Sequence, residues 1–153
     1  MVFSRSCEYG IRAVIYLASK EAGDEYQSIK TLSEELDISY HFLTKTLQKL
    51  TERGYLESYR GPRGGVRLAV APENLNLKDV VVAIDGAEIF EECILGLPGC
   101  GEEKPCPIHD RWAEVRSRLE GQLVDYSLAD LAEGVREKDL RLKSCLPTAT
   151  EKA

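Results

Sequence analysis

Three thiols and one imidazole stand close together in this sequence. Cys93, Cys100 and Cys106 recur as Cys-x6-Cys-x5-Cys, and His109 follows as Cys-Pro-Ile-His. Thiolates are soft donors that suit zinc and iron–sulfur clusters. Three cysteines and one further ligand fill a zinc tetrahedron, and they equally fill the ligand set of a cluster. Gly96, Pro98, Gly99, Gly101 and Pro105 lie between them, so the segment 93–107 reads as a loop able to wrap its sulfurs around one centre. Structural zinc more often uses closer cysteine pairs. The wider gaps here lean toward a cluster without deciding it. Unligated thiols in a solvated loop, or a disulfide between two of them, are the other readings. Cys7, in a helical pattern, reads as a small buried apolar residue, and Cys145 lies in a polar tail; neither is read as a ligand. Five cysteines, three of them clustered, fit a cytoplasmic protein with reduced thiols better than a secreted disulfide scaffold.

A second group of residues has the chemistry of nucleic-acid contact. Ser39, Tyr40, His41, Thr44, Lys45 and Gln48 fall on one side of a helical pattern whose apolar side is Phe42, Leu43, Leu47 and Leu50. Glutamine can pair with adenine, serine and threonine with several base edges, and lysine with guanine or phosphate. Further on, Arg60, Arg63 and Arg67 flank Gly61, Gly64 and Gly65. The glycines permit close backbone approach, and an arginine-bearing tip can enter a narrow minor groove.

The elements needed to position both groups are legible as periodic patterns. Ser4 caps a first helix with apolar positions Tyr9, Ile11, Ala13, Val14, Leu17 and Ala18, fading at Ala22-Gly23-Asp24. Ser28 opens a shorter helix carrying Ile29, Leu32 and Leu36, and Ser39 caps the third, which stops at Gly54. Strands are expected over 55–59 and 66–70, joined by the turn at 60–65. A fourth helix spans 77–84 and ends at Gly86. Beyond the cysteine loop, Trp112, Val115, Leu119, Leu123 and Tyr126 recur every three or four residues and predict a long amphipathic helix over 108–126. A short helix follows over about 127–138.

Helix, short turn, helix and glycine-bearing hairpin, in that order, is the plan of a winged helix-turn-helix that places its second helix in the major groove of duplex DNA. The fold class is therefore mainly α with a small β-hairpin, the winged unit being followed by a long amphipathic helix. Residues 1–72 form the DNA-binding domain, 73–143 the cysteine loop and the helices around it, and 144–153 a disordered tail. The net charge of −6 argues against nucleic acid at first sight, yet residues 1–68 hold 10 Lys+Arg against 9 Asp+Glu. The acidity lies downstream, and DNA contact needs only a local basic surface. No apolar run approaches the ~18 residues of a membrane span, and no signal peptide is read at the N-terminus. Without an oxyanion-hole motif or phosphate loop, an enzyme using Cys106 beside His109 is disfavoured and no small-molecule substrate is expected.

Both groups, in this order, resemble the Rrf2 family of bacterial transcription regulators over residues 3–137. Gly54-Tyr55-Leu56 through Arg60-Gly61-Pro62-Arg63-Gly64-Gly65 is similar to the family's wing motif. Leu32-Ser33-Glu34 and Ile38-Ser39 through Leu50 resemble its helix pair, and the three-cysteine loop ahead of Trp112 resembles its cluster-binding members. The resemblance implies a homodimer in which the helices over 108–126 cross, presenting two wings to a near-palindromic operator. It implies Cys93, Cys100 and Cys106 as ligands of a 2Fe–2S or 4Fe–4S cluster that senses iron, nitric oxide or redox state. The fourth ligand is His109 by one branch of the family, or Glu8 of the other subunit by another. In a third branch a histidine serves in the first helix, where this chain has Arg12. Two departures are visible. The first gap is x6 rather than x5, and Thr44 stands where a sequence-selecting glutamate is found, so operator preference does not transfer. The alternative is a zinc-stabilised or cluster-free winged-helix protein without a sensing role.

Overall fold

The structure is a computed structural model that describes residues 2–20, 25–101 and 103–144. The expected fading of the first helix at 22–24, Cys145 and the tail beyond Ser144 lie outside the described residues. Helix α1 (Arg5–Ser19) starts as expected, with the Ser4 hydroxyl accepting from the Cys7 amide. Helix α2 (Ile29–Leu36) is capped by Ser28 and ends at Asp37 in the left-handed region, φ 53°. Aspartate tolerates that conformation better than most residues, and the turn it makes leads directly into α3 (Tyr40–Glu52). Ser39 occupies the cap position of α3 without making a side-chain capping bond, a correction to its expected role. Strands β1 (Leu56–Tyr59) and β2 (Gly65–Leu68) pair antiparallel, Leu56 opposite Leu68.

Helix α4 (Leu77–Asp85) ends at Gly86, and a capping box of Asn76 and Asp79 sets its start. A four-residue helix, α5 (Glu88–Glu91), went unforeseen because one turn is too short to show a period. Helix α6 (His109–Val124) and helix α7 (Leu128–Lys138) are the last of the described helices. None of the described helices is long and apolar enough to cross a membrane.

One apolar cluster joins the winged unit to the later helices. Leu32, Leu36, Leu43, Leu47 and Leu50 meet Val80, Val81, Leu128 and Ala132 within it. The reason is α1, which packs on α3, α4 and α7. Gly10 makes the closest crossing, since a Cβ there would stand 2.3 Å from the Ile84 side chain and 3.2 Å from Thr46. Phe42 is corrected from its expected inward place: it is 39% exposed and meets Tyr9 edge-on at 5.3 Å. Thr46 takes the buried position instead, with its hydroxyl 2.8 Å from that of Ser6.

The hairpin is fastened to the winged unit by backbone. The Gln27 amide donates to the Val66 carbonyl at 2.8 Å, and the Val66 amide returns a bond to Gln27 at 2.9 Å. This explains Gly65, with φ 154°: a Cβ there would lie 2.0 Å from the Gln27 carbonyl oxygen. Two of the three wing glycines thus serve the protein's own packing, since a Cβ at Gly64 would likewise strike the Tyr59 carbonyl at 2.3 Å.

Candidate nucleic-acid interface and cysteine loop

The fold presents the groups read from the sequence at two separate places. On α3, Ser39, Tyr40, His41, Lys45 and Gln48 are exposed, while Thr44 is half-buried. The Thr44 hydroxyl donates to the Tyr40 carbonyl at 2.8 Å, which occupies its proton within the helix and leaves its lone pairs for a base donor. At the hairpin tip Arg60 and Arg63 are exposed. Arg67 sits lower, on β2. Its guanidinium pairs with Glu57 across the ladder at 2.9 Å and lies 4.6 Å over the Tyr26 ring. Tyr26 in turn packs against Tyr59. The tip therefore offers two outward arginines, with a third braced at its base.

The cysteine loop connects α5 to α6. Its donors stand in two touching pairs. Cys93 Sγ lies 3.4 Å from Cys106 Sγ, and Cys100 Sγ lies 3.3 Å from His109 Nδ1. Among the described residues no three cysteine, histidine or acidic side chains converge on a single point. The donors nonetheless match a cluster in kind, and the loop allows the pairs to draw together. Residues 94–99 are exposed, and Gly96 and Gly99 adopt φ of 67° and 71° with nothing within 4 Å of a would-be Cβ. The Leu95 amide donates to the Cys93 sulfur and, with the neighbouring thiols, holds that thiol below its ordinary range. At Cys106 the Ile108 amide pulls downward, but burial and charge on Cys93 and Cys100 outweigh it and raise the thiol. One cysteine of the Cys93–Cys106 pair is thus readied for the thiolate form that binds metal.

Helix α6 grips the start of this loop. The Trp112 indole donates to the Glu92 carbonyl at 2.9 Å, and Arg116 Nη1 donates to the carbonyls of Glu91 and Glu92, the latter at 2.9 Å. Arg116 was missed by sequence reasoning. The available signal was its place four residues after Trp112, which sets both on one helix face.

Cys7 belongs to neither place. It is fully buried in α1, and its thiol is pushed up to about 12, chiefly by burial, with the charges of Asp85 and Glu8 adding to the rise. Its folded value lies above the ordinary 9.0, so the neutral thiol favours folding. That contribution is constant below about pH 9 and is lost as pH rises from there toward 12. Iodoacetamide at pH 8 is accordingly expected to label the partly exposed Cys100 and Cys106 in the metal-free protein and to spare Cys7 until denaturant is added. Peptide mass spectrometry reads the difference, and prompt labelling of native Cys7 would contradict its buried state.

Comparison with known proteins accounts for this layout. The profile of the Rrf2 family, described as iron-dependent transcriptional regulator, matches residues 3–134. The chain belongs to the Rrf2 family. An HTH-type transcriptional regulator of Aquifex aeolicus is 30% identical over 142 residues, covering 92% of this chain and 96% of that protein. The HTH-type transcriptional regulator NsrR of Shouchella clausii is 32% identical over 142 residues, covering 88% and 89%. Among solved structures, CymR, the global cysteine regulator of Bacillus subtilis, superposes with a TM-score of 0.73 at 25% identity, covering 86% of this chain and 95% of that one. This Rrf2 chain is a transcriptional regulator rather than an enzyme, and its helices and hairpin form the winged helix of the family.

Proposed function

We propose that this Rrf2 regulator is a cytoplasmic homodimer whose operator binding is set by an iron–sulfur cluster held on Cys93, Cys100, Cys106 and His109. The observation that carries the reading is the two donor pairs, Cys93–Cys106 and Cys100–His109, in a loop hydrogen-bonded directly to α6. His109 is preferred over Glu8 because its Nδ1 already lies against Cys100, whereas Glu8 stands in the first turn of α1 on another element. When bound, a cluster supplies reversible electron transfer and a bond set open to oxidants and nitric oxide. Every mechanical consequence runs through the chain. Leu123 is the one buried apolar residue along α6, while Val115 and Val124 are 50% and 44% exposed. Val115, on the face that also carries Trp112 and Leu119, leaves apolar surface for a second copy of the same helix. Moving the donor pairs pulls the carbonyls of Glu91 and Glu92, hence Trp112 and Arg116, hence α6 and the spacing of two winged units. This is a population shift between DNA-competent and DNA-incompetent dimers. Ser39, Tyr40, His41, Thr44, Lys45 and Gln48 would read the major groove, and Arg60 and Arg63 the flanking minor groove, with Arg67 holding the wing's shape.

The test uses a duplex selected from random sequences by the wild-type protein. Its affinity for the anaerobically loaded and metal-free forms, measured at one salt concentration, is expected to differ at least about 5-fold, the low end of ordinary coupling. Equal affinity overturns the sensing reading. A colourless protein retaining zinc would favour the structural-metal alternative instead.

A further inference from the structure

Arg116 is only half accounted for by its clamp on the loop. Its Nη1 serves the Glu91 and Glu92 carbonyls, yet its Nε is buried and has no hydrogen-bond partner among the described residues. A buried charged donor without an acceptor is costly and is ordinarily absent from folded proteins. The same guanidinium lies 3.9 Å from Cys100 Sγ. The clamp itself does not need it, because Trp112 already donates to the Glu92 carbonyl. The one sulfur in reach of this guanidinium among the described residues is Cys100 Sγ, and an acceptor that would satisfy the orphaned N–H is sulfur carrying negative charge.

We infer that Arg116 is an outer-sphere partner of the bound cluster, donating from its guanidinium to cluster or cysteine sulfur and so fixing both the retention and the reduction potential of the cluster. This rests on the cluster reading above. Guanidinium is suited to the task because it stays charged and presents several donors in a fixed fork. Hydrogen bonds to cluster sulfurs stabilise the more negative, reduced state and raise the potential. Because Arg116 belongs to α6, the same contact makes the helix sensitive to the charge on those sulfurs.

The test reconstitutes full-length wild type, Arg116→Gln, Arg116→Lys and Trp112→Phe anaerobically with ferrous iron and sulfide. Iron and sulfide content, bleaching by EDTA and midpoint potential are then read. Arg116→Gln is expected to fill but to bleach about 10-fold faster, as loss of an outer-shell partner does, and to shift to a more negative potential. Trp112→Phe, which loses only a carbonyl bond, is expected to keep the wild-type potential. Arg116→Lys keeps the charge without the fork and is expected to fall between, and it carries the test if the glutamine variant does not fold. A coloured wild type with an unchanged potential in the Arg116 variants overturns this inference alone. An equal shift in Trp112→Phe reduces Arg116 to a clamp and overturns it as well. A wild type that takes up no cluster overturns both this inference and the reading beneath it.

Discussion

Cys100→Ser protein, purified without oxygen and supplied with iron and sulfide, is expected to remain colourless and to bind DNA identically with and without that treatment. Among the described residues Cys100 is the one thiol paired with the imidazole, its Sγ lying 3.3 Å from His109 Nδ1. Its loss leaves Cys93 and Cys106 as an isolated dithiol, with His109 unanchored. Two soft donors and a distant nitrogen do not complete a tetrahedral iron site, so retention should fall beyond the roughly 100-fold that removing an outer-shell partner can cost. His109→Ala removes the nitrogen donor and keeps all three sulfurs. It is expected to assemble a cluster with altered absorption that is lost faster. Visible absorption and iron analysis decide the matter, and a Cys100→Ser protein that stays coloured at wild-type iron content would remove this loop from consideration as the cofactor site. Because Cys100 is only partly buried and stands outside the apolar cluster, the serine variant should fold normally, which keeps the result interpretable.

The second large effect lies at the wing. Replacing Arg60 and Arg63 together by alanine is expected to weaken operator binding about 100-fold per protomer, taking roughly 1.4 kcal/mol for each arginine from the ordinary 1–3 kcal/mol of a groove contact. If both also neutralise phosphate, the slope of log affinity against log salt should flatten by about 2 per protomer. Arg67→Ala should do less to the salt slope, since that guanidinium is already paired with Glu57 and stacked on Tyr26. Its loss acts on the shape of the hairpin. Fluorescence anisotropy across a salt series separates the two roles, and a steeper loss for Arg67→Ala than for the double variant would reverse the assignment.

Much of this architecture was legible because local signals and tertiary packing agree. Ser4 and Ser28 cap the helices that their positions suggest, and the hydroxyl of each accepts a bond from the first turn. Leu43, Leu47 and Leu50 fall inward as a helical period requires. Disagreement arises where a residue's environment depends on a distant element. Phe42 fits the inward stripe by spacing, but Thr46 takes the seat because Ser6 of α1 offers its hydroxyl a partner. The wing glycines suggest a surface for a ligand, yet Gly65 is demanded by Gln27, far away in sequence. The periodic stripe of α6 predicts burial. Leu119 and Leu123 meet the chain's own core, while Val115 and, just past the helix, Tyr126 are left exposed. The cysteines announced the candidate site by type and spacing alone. Arg116 stayed hidden because its place on the face of Trp112 is a weak signal on a charged helix until the carbonyls it reaches are known.

The backbone bridge between Gln27 and Val66 bears on what kinds of message a regulator of this build can transmit. The hairpin is stitched to the segment leading into α2, and α2 is locked to α3 through the apolar core. Each DNA-reading head is therefore one stiff body. In the proposed dimer, a change at the cysteine loop can reach these heads only through α6 and the helices packed on it, altering the distance and angle between them. It leaves the shape of either one intact. Such a protein would keep its alphabet fixed and vary only the spacing between its words. Targets gained or lost with cofactor state should then share the same half-site and differ in the number of base pairs that separate the two copies.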